Sequence, residues 1–168
     1  MRKFLVMLAI TVGVVTADAA SLKSTFGGGV LGVPWGTSLT DVVGIYPLGD
    51  HMYSLTPGCR AYWVKDGQSY LGVPRERQGV LFGLDKSNHV VAAVVAFGFE
   101  RKDELRTVLT SLLGPPLVQS QSNDKVARYG WRDVDGMTAG VTELGEGSQR
   151  IVWLTVTLPG YKNVRDGC

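Results

Sequence analysis

Few residues in this chain are of the types that make and break bonds, and their spacing argues against most of the chemistry they could do. There are two histidines. His89 ends the turn Lys86-Ser87-Asn88-His89 and His51 follows Gly49-Asp50, so both read as exposed turn residues. Asp50, His51 and Cys59 lack the spacing of a metal set, and no HExxH, paired CxxC or GxSxG pattern occurs. Gly27-Gly28-Gly29 and Gly32 suggest a phosphate loop. A Walker loop needs Lys-Ser/Thr at the helix start, and Thr37-Ser38-Leu39 stands there instead. A dinucleotide fingerprint needs a parallel strand after the helix, whereas turn signals follow Pro47. Asp66, Asp85, Asp133, Asp135 and Glu146 fall at turns and helix ends, and the sequence brings no two of them to one buried surface. No catalytic residue, metal or cofactor is expected.

Chemistry of recognition is better represented. Trp63, Trp131 and Trp153 lie on predicted strands, with Tyr62 and Tyr129 beside the first two. A strand tryptophan usually fills a core. The neighbours of Trp153 at two-residue spacing, Ile151 and Thr155, are mixed, so this one is expected on an open sheet face, where an aromatic anchors an interface. The segment holding Tyr70, Leu71, Pro74, Arg75 and Arg77 is the second candidate, with plain loop variation as its competitor.

The elements that position these residues repeat. Leu39, Val42, Val43 and Tyr46 fall at i, i+3, i+4 and i+7, as do Leu105, Val108, Leu109 and Leu112. Each set makes one apolar stripe on a helix. Ser38 is the first N-cap and Asp103 the second. Pro47 stops the first helix, and Gly114-Pro115-Pro116 stops the second. YWVKDG (62–67) and YGWRDVDG (129–136) read as strands entering Asp-Gly turns. VLFGL (80–84) and AGVTEL (139–144) follow, then VVAAVVAFGF (90–99) and IVWLTVTL (151–158). Pro47 and Pro115 stand as far apart as Trp63 and Trp131. The second copy lacks roughly eight residues found in 66–79 of the first.

The predicted fold is α+β: two tandem α-β-β-β units of roughly 65 residues, preceded by a strand near Phe26–Val33. Unit one covers about 26–99, unit two about 100–160, and a tail runs over 161–168. They form one antiparallel sheet with two helices on one face. Val91, Val95, Phe97, Phe99, Val152, Leu154, Val156 and Leu158 are expected toward the helices. Ala92, Ala96, Gly98, Trp153, Thr155 and Thr157 are expected away from them.

The chain has 168 residues and a formal charge of +2. Arg2 and Lys3 precede an apolar run, Phe4 to Val15, and Ala17-Asp18-Ala19 supplies a small-x-small cleavage pattern. About 12 apolar residues are too few to span a bilayer, so 1–19 reads as a secretory signal, with a single domain over 20–168. Loss of Arg2, Lys3 and Asp18 leaves a net charge of about +1, which argues against a nucleic-acid binder. An exported chain meets an oxidising compartment, so Cys59 and Cys168 are expected to pair, with a frayed terminal thiol as the alternative.

GVPWGTSLTDV (32–42 with Gly29 upstream) leading into a helix and then hairpins looks like small exported bacterial proteins. ELRTVLTSLLGPPL (104–117) before antiparallel strands resembles the helix end of BamE/SmpA-like envelope proteins. The tandem helix-plus-sheet layout resembles the beta-lactamase inhibitory protein architecture. These resemblances imply a non-catalytic protein binder in the periplasm or outside the cell, of inhibitor, immunity or envelope-assembly type. A carrier of a small apolar ligand and a hydrolase with a carboxylate site are the competing expectations.

Overall fold

The computed structural model describes residues 21–47, 51–56, 59–65, 67–75, 79–123, 126–146 and 149–161. Along the chain these form helices α1 (Leu22–Phe26) and α2 (Leu39–Ile45), then strands β1 (His51–Thr56), β2 (Cys59–Lys65), β3 (Gly79–Leu84) and β4 (Val90–Gly98). A 3-10 turn, Phe99–Arg101, enters α3 (Lys102–Leu113). Strands β5 (Val118–Asn123), β6 (Val126–Arg132), β7 (Thr138–Glu146) and β8 (Gln149–Thr157) follow. The protein is α+β. Its eight strands make one sheet in the order β1-β2-β3-β4-β8-β7-β6-β5, and every described pairing is antiparallel.

Each helix stripe is used in part: Val43 of the first is 39% exposed, and in the second Leu113 rather than Leu112 packs against the core. The Ser38 side chain accepts from the Asp41 N–H (3.2 Å) and donates to the Asp41 carboxylate (2.7 Å), which fixes the start of α2. Val42 is then buried, with Leu39 and Tyr46 against the same core. In α3 the buried pair is Leu105 and Leu109, each stabilising the helix on the sheet by about 1.5–3 kcal/mol. Asp103 is not the cap of α3. The 3-10 turn occupies that place, with Arg101 at the N-cap position, and Asp103 sits in the first helical turn, bonded to Lys102 and Arg106.

The core lies between the helices and one face of the sheet. From the strands it takes Tyr62, Val64, Val80, Phe82, Leu84, Val95, Phe97, Tyr129, Trp131, Val141, Val152, Leu154 and Val156. The pairing register shifts between Gly83 and Leu84, so that Val90 joins this core alongside the in-phase Ala93. Val91, expected among the helix-facing residues, is buried outside the core cluster for that reason.

Three elements differ from the sequence reading. Four strands follow α2 and four follow α3, where three were expected, because β1 and β5 are edge strands with little apolar alternation. Phe26–Val33 is not a strand: α1 ends at Phe26, and Val30 pairs only with Val33 across a tight turn. That turn recurs. Val30-Leu31-Gly32-Val33-Pro34 and Tyr70-Leu71-Gly72-Val73-Pro74 share Leu-Gly-Val-Pro, and in both the first and fourth residues exchange two backbone hydrogen bonds of 2.9–3.0 Å. The leucines take φ 51° and 53°, and the glycines 76° and 79°, which are the two left-handed positions of a type I′ turn. Val33 and Val73 deliver one buried valine each to the core. No helix among the described residues is long and apolar enough to cross a membrane.

Candidate protein-binding face

The helix-free face is a map of side chains set by register. Its middle row runs across seven strands as Trp63, Leu81, Val94, Thr155, Gly140, Gly130 and Val118. One step along the strands, about 6.8 Å away, Ala96, Trp153, Thr142, Arg128 and Ser120 make a second row. On the other side, Ala61, Gly83, Ala92, Thr157, Thr138 and Arg132 make a third. Trp153 is 38% exposed and Trp63 36%. Thr138 and Thr157 share a hydroxyl bond of 2.6 Å, so their polar atoms are engaged with each other.

Glycines hollow this face. Gly130 and Gly140 stand directly opposite each other, and neither has a left-handed φ. A Cβ on either would meet its nearest neighbour at 3.6 Å, an ordinary contact. Packing therefore does not require glycine at either place. Over them lies an open concavity of about 570 Å³, lined also by Leu117, Val118, Arg132, Thr138 and Thr155. Leu117 and Val118 at its edge are 71% and 62% exposed.

Of the residues singled out in the sequence, Trp153 and Thr155 stand together on this face, one step apart on β8. Tyr70 and Arg75 are not with them. Val73 enters the core on the helix side, and Tyr70 and Leu71 pack against it. Arg75 has 0% exposure, and its Nε donates to the Gln68 carbonyl of its own loop. Trp35 does the same after the first Leu-Gly-Val-Pro turn, donating to the Phe26 carbonyl at 2.6 Å. This corrects the expectation of a contact loop: the side chain after the proline turns inward to hold the hairpin. Burial pushes the Tyr70 phenol up to about 12, with the Arg75 charge opposing it. Arg77, Cys168, the Cys59 side chain and the signal at 1–19 lie outside the described residues.

The sequence reading also missed a charged cluster on the opposite face. Glu143 follows Ala139 and Val141 on the helix side of β7 and is 6% exposed. Arg106 of α3 donates to the Tyr129 hydroxyl at 2.6 Å and reaches Glu143 only at 3.8 Å. Glu143 Oε1 has no hydrogen-bond partner. Burial raises the Glu143 carboxyl above its ordinary range, against the lowering pull of Arg106 and Lys102. Strict alternation along AGVTEL was the signal that could have found it. Of the turn carboxylates, Asp85 caps the Ser87 and His89 N–H groups, while Asp133 and Asp135 hold α1 through the Lys23 backbone N–H and Nζ. They serve two separate local structures rather than one cleft.

Fold and face together define an α+β protein whose sheet carries helices on one face; among the described residues the other face is exposed at Trp63, Trp153, Arg128 and Arg132, while Ala61, Ala92 and Thr157 of its third row are buried. No family model matches the chain, and no curated protein matches it. Among solved structures it is similar to a DUF4309 family protein (YjgB) from Bacillus subtilis subsp. subtilis str. 168. The two share 13% identity over 79% of this chain and 82% of that one, with a TM-score of 0.46.

Proposed function

We propose that this protein is an exported, non-catalytic module that binds another protein through the helix-free face of its sheet. The supporting observation is that this face presents Trp153, Trp63 and a glycine-floored concavity that the described residues leave open. The N-terminal signal pattern supports a periplasmic or secreted location. The pairing order, in which the two four-strand sets meet at β4 and β8, supports a reading of the chain as two tandem helix-plus-sheet units. The inhibitor, immunity and envelope-assembly roles all fit a rigid sheet used in this way.

A photo-crosslinking residue at position 153, in the exporting host, tests the reading, with position 104 on the exposed side of α3 as control. The expected result is a discrete protein adduct at 153 and none at 104. Trp153→Ala should weaken capture of that partner while leaving the fold intact. A lipid-sized mass retained in native mass spectrometry, with no protein adduct, would replace the reading with the apolar-ligand carrier.

A further inference from the structure

We infer that the occupant of the helix-free face is an acidic polypeptide segment. It would place one aliphatic or aromatic side chain over Gly130 and Gly140, with carboxylates on either side facing Arg128 and Arg132. The inference rests on the protein-binding reading of this face and names the chemistry of the partner.

Charge carries the argument. Arg128, Gly130 and Arg132 alternate along β6 on the helix-free face, so the two guanidinium groups bracket the concavity about 14 Å apart in backbone terms. Both are exposed. Among the described side chains the Glu100 carboxylate also lies on this face, but against Gly98 of β4, with β8 and β7 between it and the arginines of β6. Glu143 is on the helix side, Asp85 is tied into its own turn, and Asp133 and Asp135 are drawn to Lys23. The cations of α3 and α1 are paired with carboxylates, Arg101 with Glu104, Lys102 and Arg106 with Asp103, Lys23 with Asp135, whereas Arg128 and Arg132 stand on the open side of β6. The β6–β7 end of the face thus combines two arginines with apolar surface and the bonded Thr138–Thr157 pair. An acidic segment laid over that end meets two arginines, and a basic one meets like charge there.

The concavity sets the shape of the occupant. A glycine inside a strand weakens it and commonly marks a place where another chain or ligand comes close. Here two are paired across neighbouring strands, and neither is demanded by backbone angle or by packing. A side chain seated between exposed Leu117 and Val118 on one side and Thr155 on the other would cover apolar surface now open to water. The arginines beside it select by charge. An extended segment matches the two-residue repeat of the arginines, since its alternate side chains recur at the same interval.

The test uses the exported protein labelled with ¹⁵N and a heptapeptide of sequence acetyl-Ser-Asp-Glu-Leu-Glu-Asp-Ser-amide. Two controls replace its four acids by lysine or its leucine by alanine. Binding of the acidic peptide should shift the Gly130 and Gly140 amides, weaken with added salt, and fall at least tenfold for the lysine control. Arg128→Glu with Arg132→Glu should reverse the preference toward the lysine peptide. Gly140→Leu, which the fold has room for, should weaken binding at least tenfold while keeping the salt dependence. Equal binding of the acidic and lysine peptides, shifts confined to another face, or no binding at millimolar peptide would overturn the inference. Reproduction of the shifts by acetate or benzoate alone would do so too, by making the occupant a small acid. If the double arginine variant keeps the adduct at position 153, the acidic occupant fails and the protein-binding reading stands. If position 153 gives no protein adduct in the unaltered chain, both fail.

Discussion

Trp131 on β6 and Trp153 on β8 belong to one sheet, two strands apart, and face opposite sides of it. Trp131 is buried, and its Nε1 donates to the Gly114 carbonyl (2.9 Å) where α3 ends. At the other end of the sheet the aromatic polar tips are satisfied in the same way: Tyr46 donates to the Leu31 carbonyl, Tyr62 to the Tyr46 carbonyl, and Trp35 to the Phe26 carbonyl. Each of these bonds ties a helix end or a turn to the core, because a buried N–H or O–H must find an acceptor or cost the fold its desolvation. On the other face, Trp153 is more than a third exposed, Arg128 and Arg132 point from a hollowed floor, and the paired glycines answer no packing demand. One face is specified down to its hydrogen bonds, and the other is specified only in position. The difference separates residues that hold the protein together from residues free to do something else.

Replacing core aromatics should give the largest effects. Phe82→Ala or Trp131→Ala is expected to lower unfolding free energy by about 3–5 kcal/mol, from lost burial plus a cavity. Equal losses for Trp153→Ala in urea unfolding would erase the contrast between the faces. Trp131→Phe isolates the polar part. It keeps most of the ring and removes the donor to Gly114, so it should cost about 1–3 kcal/mol, including the buried carbonyl left without its partner.

Glu143 is where the well-satisfied face breaks its own rule. Its carboxyl holds a proton more tightly in the folded protein than in the unfolded chain. Stability from such a group is present below the unfolded pKa of about 4.3 and is lost as pH rises through the higher folded value. Glu143→Gln cannot ionise. It should therefore be more stable than the natural chain at neutral pH, and the advantage should shrink as pH falls toward that lower limit. Urea midpoints of both proteins between pH 4 and pH 8 measure this. A variant that is less stable at pH 7 would mean that Arg106 draws more from the carboxylate than its 3.8 Å separation indicates.

What could be read in advance follows the same division. The stripes of α2 and α3, the Ser38 cap and the alternation of β8 were legible, because burial on one side imposes a period on the sequence. α1 is five residues long, too short to show a period. β5, VQSQSN, lies at an edge with exposed side chains from Val118 to Gln121, and exposure imposes no pattern. The repeated Leu-Gly-Val-Pro was visible as letters. Its meaning, a left-handed pair of residues that folds Arg75 inward, depended on backbone geometry. The concavity was the least legible. Gly130 and Gly140 are ten positions apart, and only the register of the β6–β7 hairpin sets them side by side.

The smallest expected effect on stability is therefore the most informative about function. Trp153→Ala removes a ring that is 38% exposed on the helix-free face, and its cost should stay below about 1 kcal/mol, well under that of a core aromatic. If the same substitution lowers partner affinity at least tenfold, about 1.4 kcal/mol, the ring contributes more to association than to folding. Such a residue is kept by a partner and not by the core. A cost above 2 kcal/mol in folding, with affinity unmoved, would instead make Trp153 a structural lid on the sheet and return the helix-free face to the fold.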